Sequence, residues 1–186
     1  MMQRNAVLLV LTLAGSGLIG CSTYKTGGGA DTEASLEPEC QGAVERFQTT
    51  DPGIKRFFDS AYGYAMFPKI TKGGVGIGAA GGEGLVYEQG RIVGYDSMSQ
   101  VTIGAQLGGQ TYSEVIFFQD QAACESFKSA NFEFSAQASA VAAEDGAAAT
   151  ADFQSGLAVF TLVRGGLMFE ASIGGQRFRY HPKSPS

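Results

Sequence analysis

Seven glycines at positions 73, 74, 76, 78, 81, 82 and 84 fall within twelve residues, and that density excludes a helix. Gly74, Gly76 and Gly78 alternate with Val75, Ile77 and Ala79. A strand with this period has one apolar face and one face without side chains. A bare face lets a second backbone, an aromatic ring or a ligand approach closely. The reading favoured is a sharply bent, barrel-type strand whose glycines relieve crowding. Gly76 to Gly81 also fits the spacing of a dinucleotide fingerprint, but that motif must open a helix aimed at pyrophosphate. Here more glycine and then Leu85-Val86-Tyr87 follow, so no cofactor is expected.

The rest of the chain supports a mainly β fold, an antiparallel sandwich or barrel-like domain with N-terminal helices and one mid-chain helix. Cys40, Ala43, Val44 and Phe47 recur at helical spacing and predict a helix over 39–49. Asp51-Pro52 reads as a cap followed by proline at the first helical position, opening a helix to about Ala61. Separate strands are predicted at 85–87 and 91–95 around Glu88-Gln89-Gly90, then at 101–107 and 115–118. A helix over 120–129 precedes an alternating segment at 132–140, and 142–153 reads as a small-residue loop. Three strands close the chain at 157–163, 167–173 and 177–180, joined at Gly165-Gly166 and Gly174-Gly175.

The N-terminus carries an address. Arg4, an apolar run from Ala6 to Leu13 and small residues up to Gly20 have the charge, length and exit of a secretory signal peptide. The run is too short to span a bilayer, which takes roughly 20 apolar residues. Leu18-Ile19-Gly20-Cys21 resembles the bacterial lipobox, in which the cysteine is acylated, for instance with palmitate, and becomes the first mature residue. The expected division is a signal peptide over 1–20 and a lipidated flexible tether over 21–38. A β-rich domain over 39–181 and a tail over 182–186 complete it. Ser22 is not the aspartate associated with inner-membrane retention, so the expected site is the outer membrane, facing the periplasm.

Loss of residues 1–20 removes Arg4 alone among charged groups and takes the net charge from −5 to −6. An acidic domain of this kind lacks the basic stripe of a nucleic-acid binder. With Cys21 acylated, the remaining thiols are Cys40 and Cys124. They either close a disulfide in an oxidising compartment or stay reduced and buried as small hydrophobes. His181 is the sole histidine and falls near a C-terminal tail, a poor base for a triad. No metal spacing, Walker lysine or nucleophile elbow is present, so the chain is not expected to be an enzyme, a hydrolase ranking as the third reading, and no metal is expected.

Four segments together resemble the SYLF family of lipid-binding domains. They are Ala61-Tyr62-Gly63-Tyr64-Ala65-Met66-Phe67-Pro68, Lys72-Gly73-Gly74-Val75-Gly76-Ile77-Gly78, Gly104-Ala105-Gln106-Leu107-Gly108-Gly109-Gln110, and Gly166-Leu167-Met168-Phe169-Glu170-Ala171-Ser172-Ile173-Gly174-Gly175. The resemblance implies a compact β-rich domain that binds phospholipid, without an established catalytic role. Lys69, Lys72, Tyr64, Phe67, Lys55 and Arg56 are the candidate lipid contacts, because aromatic rings beside cations suit a membrane interface. Against this stands core packing for Tyr64 and Phe67 and simple solvation for the cations. Eukaryotic relatives also bind actin, but a periplasm holds none and the segment before Phe47 is acidic. The competing reading is a scaffolding lipoprotein that contacts another envelope protein and meets lipid only through Cys21.

Overall fold

The computed structural model describes residues 29–129, 132–133, 147–163, 166–169 and 175–183. Its framework is one ribbon. Strand β1 (Gly63–Glu88) and strand β2 (Arg91–Phe118) pair antiparallel along their length, from Gly63 opposite Phe118 to Glu88 opposite Arg91. The connection is a two-residue turn in which Gln89 and Gly90 both take positive φ, 47° and 77°. Such a turn matches the right-handed twist of the strands it joins.

The several short strands expected between 74 and 118 are therefore two long ones. Glycine is the physical reason, since it lets the ribbon bend hard without ending the ladder. The ribbon doubles back on itself. A Cβ on Gly84 would meet the carbonyl oxygen of Met66 and the ring of Phe67, and one on Gly82 would lie 2.6 Å from the carbonyl oxygen of Lys69. Residues 82–88 therefore pack against residues 63–70 at backbone contact, as the bare face allowed. Register shifts at 67/70, 75/77 and 86/87 accommodate the curvature.

The remaining strands build on the second edge of β2. Strand β6 (Gln176–Pro182) pairs with its N-terminal part, Gly94 to Gln100, and β4 (Leu157–Val163) with Ser113 to Phe118. Strands β3 (Phe132–Glu133) and β5 (Gly166–Phe169) extend the sheet beyond β6 and β4. The six strands among the described residues are all antiparallel. Residues 134–140 and 170–173 of the expected strands lie outside the described residues.

Strand alternation sorts the apolar residues into two cores. Met66, Val115, Phe117, Ala158 and Phe160 face helix α1 (Gly29–Thr50), helix α2 (Lys55–Ser60) and the single turn α4 (Ala147–Thr150). Those helices contribute Cys40, Ala43, Phe47, Phe57 and Ala148, and the 3-10 turn Pro52–Ile54 adds Ile54. Ala65, Phe67, Ile116, Phe118 and Val159 form the second core with Cys124 and Phe127 of helix α3 (Gln121–Lys128) and with Phe178. Each fully buried phenylalanine contributes about 1.5–3 kcal/mol through removal of apolar surface from water.

Local signals set the helix starts. Asp51 caps the 3-10 turn Pro52–Ile54, accepting from Gly53 N, and also accepts from Ala148 N at 2.9 Å. Asp120 caps α3 by accepting from Ala123 N. Three expectations need correction. Residues 29–38, read as extended tether, are helical and continuous with α1, with Pro38 inside the helix. Tertiary contact outweighs the composition there: Leu36 packs on the first core, and buried Glu33 meets Lys183 at 3.4 Å. The loop expected over 142–153 contains α4, whose start is held by Asp51. The chain end is ordered through residue 183 rather than ending at 181, because Pro182 pairs with Gly94 and Lys183 N donates to Val93 O.

Candidate functional site

The residues singled out from sequence do not converge on one place. Tyr64 is half-buried and stacks on Tyr87, ring centroids 4.6 Å apart, with Phe58 edge-on at 5.2 Å. Burial pushes the Tyr64 phenol up to about 12, and it also pushes Tyr87 up. Phe67 is fully buried in the second core, 5.6 Å from the ring of Phe178. Its ring is a packing element and does not reach solvent.

Lys55 is exposed and pairs with Asp59 one turn along α2, at 2.8 Å. Arg56 turns inward over the Phe57 ring at 4.4 Å and donates to the backbone carbonyls of Ala148 and Ala151. These contacts tie α2 to α4 and explain the pair structurally.

Lys69 lies on β1 within the register shift between Phe67 and Ile70, exposed, and Lys72 lies beyond it, half-buried. Lys69 lines a groove of about 470 Å³ with Arg46, Glu39, Thr111, Tyr112 and Leu162. Sequence reading missed Arg46. Its signal was its place on the solvent side of the Cys40–Phe47 helix, which brings a second cation beside Lys69 only once α1 is docked. A second groove, about 730 Å³, runs between α1 and the ribbon turn and combines Tyr64 and Tyr87 with Arg91, Lys183, Glu37 and Glu45.

The two thiols belong to opposite faces of the sheet. Cys40 contacts the carbonyl oxygen of Met66 in the first core, and Cys124 contacts Glu88 Oε1 at 3.4 Å beside the second. Both are free, so the buried-thiol reading holds and the disulfide reading does not. Burial pushes each thiol up to about 12, with Glu88 adding to the shift at Cys124. Neither is a poised nucleophile.

His181 is part of β6, not of a free tail, and stacks on Tyr95 at 4.5 Å. Among the described residues, no three His, Cys, Asp or Glu side chains come together as metal ligands. Nor is any helix among them long and apolar enough to cross a membrane. Two buried carboxylates are structural in setting: Asp96 accepts from Arg179 N at 2.9 Å, and Glu114 accepts from Gln176 Nε2 at 3.1 Å.

The fold defines a class: a mainly β, antiparallel domain built on one long ribbon, with helices over both sheet faces. Residues 99–183 match the family described as Ysc84, Las17-binding protein actin regulator. Beta cell expansion factor A of Aeromonas veronii is 30% identical over 139 residues, covering 73% of this chain and 52% of that protein. The chain belongs to the SYLF family, which the Ysc84 match represents. It spans about half the length of the curated relative it matches.

Proposed function

We propose that this chain is a cell-envelope lipoprotein, anchored through Cys21, whose SYLF domain binds phospholipid. The observation that carries the reading is the groove where Arg46 and Lys69 stand beside Tyr112, Thr111 and Leu162. Two cations, a phenol and an apolar wall are the chemistry that meets a phosphate headgroup and the start of its acyl chain. Membership of the SYLF family supports it independently. The lipobox stretch Leu18 to Cys21 supports the anchor. The actin link that the family description names is not carried over to this chain. No catalytic activity is part of the proposal, because the buried thiols and the Tyr95-stacked histidine take structural roles.

The test uses residues 22–186, which include every described residue and lack the acylated cysteine. This protein should co-sediment with phospholipid vesicles at low ionic strength. Absence of association at every salt concentration sinks the reading and leaves the anchor as the sole lipid contact.

A further inference from the structure

We infer that the groove of Arg46 and Lys69 selects an aminophospholipid headgroup, a phosphodiester with an ammonium on a two-carbon arm, resting on the phospholipid-binding reading above. A third charge stands in that groove. Glu39 lines it together with the two cations, and all three side chains are exposed.

The fold gathers these charges and holds them apart. Glu39 and Arg46 are seven residues apart on α1, so they share a bearing with about 10 Å of helix rise between them. That spacing exceeds the three- and four-residue steps at which helix side chains pair. Lys69 arrives from β1, because Cys40, the neighbour of Glu39, contacts that strand through the Met66 carbonyl at 3.5 Å. Among the described residues, none of the three enters an ion pair. Lys55, Lys128 and Lys183, by contrast, each meet a carboxylate.

The order of charge decides the ligand. A headgroup whose phosphate carries only glycerol would suit Arg46 and Lys69 but set its anion beside Glu39. An ammonium two carbons from the ester oxygen turns that repulsion into a charge-assisted hydrogen bond. The Arg46 guanidinium and the Lys69 ammonium take the phosphate oxygens, and Glu39 takes the amine. Leu162 and Val163, half-buried at the end of β4, make the lipid the source rather than a free phosphoamine. They give the groove an apolar wall for the glycerol and the first acyl carbons. At about 470 Å³ the groove has the volume of a site for one small ligand.

Glu39→Gln removes the charge at an exposed helix position and should leave the unfolding midpoint unchanged. Residues 22–186, with and without it, would be titrated with two kinds of vesicle. One is phosphatidylglycerol alone, and the other is mostly phosphatidylethanolamine with a minor share of phosphatidylglycerol. On the first the variant should bind up to about fivefold more tightly, because a negative charge facing an anionic surface is gone. On the second it should bind about threefold more weakly, because the amine has lost its acceptor. Glu45→Gln removes the same charge from α1 outside this groove and should show no such reversal. If Glu39→Gln shifts both titrations in the same direction, or neither, Glu39 acts through net charge alone; the inference then falls and the lipid reading survives. If the unsubstituted protein binds neither vesicle, both fall together. Displacement from the ethanolamine-rich vesicle by free O-phosphoethanolamine at matched headgroup concentration assigns the groove to a soluble phosphoamine and overturns the lipid source.

Discussion

Lys128 of α3 reaches Glu88 at the end of β1, Nζ to Oε1 2.5 Å, with side chains only 15% and 19% exposed. The same ammonium meets Glu125 at 2.8 Å. Burial pushes Glu88 up, but the hydrogen bonds from Lys128 and Cys124 outweigh it and hold the carboxylate below its ordinary value. The pair fixes α3 against the ribbon turn. Lys128→Met leaves Glu88 buried without its cation, and the expected loss is about 1–3 kcal/mol, less than for a fully buried pair. Urea unfolding at neutral pH checks it. Because a depressed carboxylate stabilises above its ordinary value and loses that contribution as pH falls, the gap to the parent should narrow on acidification.

The self-contact of the ribbon makes a sharper contrast between two glycines. A methyl group on Gly84 would collide with the Met66 carbonyl and the Phe67 ring, neither of which can yield without moving a core strand. On Gly81 it would lie 3.5 Å from the Met98 carbonyl, an ordinary contact. Gly84→Ala should cost roughly 2–4 kcal/mol through overpacking. Gly81→Ala should be neutral or stabilise by up to about 1 kcal/mol by restricting the unfolded chain. Equal effects in denaturant titrations would mean the two halves of β1 do not touch.

Asp96 works against folding as pH rises. Burial raises its carboxyl from 3.8 to about 7, although the bond from Arg179 N pulls the other way. Between those values the unfolded chain is ionised while the folded one holds its proton, so the folded state binds more protons and stability falls with pH. Below about 4 the penalty vanishes, and above about 7 it is constant. Asp96→Asn keeps an acceptor for Arg179 N and cannot ionise. Its stability relative to the parent should therefore rise between pH 4 and 7, by an order of 2–4 kcal/mol at most. Unfolding midpoints across that range give the difference directly, and a flat difference would refute the buried acid.

Much of this was legible from residue order, for reasons visible at particular positions. Near-continuous apolar runs located Val115 to Phe118 and Leu157 to Val163, because each strand is packed on both faces. Asp51 and Asp120 marked the helix starts, since capping is local chemistry. Helix α1 was cut short because residues 31–39 hold Leu36 as their one large apolar residue and so show no apolar stripe, and because Pro38 reads as a break; the packing of Leu36 and the Glu33–Lys183 contact supply the stability from elsewhere in the chain. Strand joining failed at glycine, which signals a break locally but permits a bend once another backbone packs over it. The site was half legible. Lys69 stood out beside aromatics, whereas Arg46 reaches the same groove only through docking of α1. Tyr64 and Phe67, three residues apart, part company at the sheet: Tyr64 packs against the first core and Phe67 lies in the second.

The placement of Cys40 and Cys124 in separate cores predicts a simple thiol count. In residues 22–186, native protein at pH 8 should react with neither maleimide nor Ellman's reagent over minutes. Both thiols are buried and far above that pH in acidity. Addition of denaturant should release two equivalents, one from each residue. Zero equivalents without reductant and two with it would restore the disulfide and require the two faces to be rearranged.

The groove of Arg46 and Lys69 gives the lipid reading its electrostatic signature. A cation near an anionic surface is worth about 1 kcal/mol, so reversing both with Arg46→Glu and Lys69→Glu should weaken binding at least tenfold to anionic vesicles at low salt. Screening shortens the reach of exposed charges to about 3 Å at molar salt, so the gap between variant and parent should shrink as salt rises. Lys55 tests the alternative that any surface cation suffices. It is already paired with Asp59 and lies outside the groove, so Lys55→Glu should change binding by no more than about twofold. Vesicle co-sedimentation of the three proteins across salt concentrations separates these cases. Equal losses in both variants would mean that net charge, rather than this groove, governs the association.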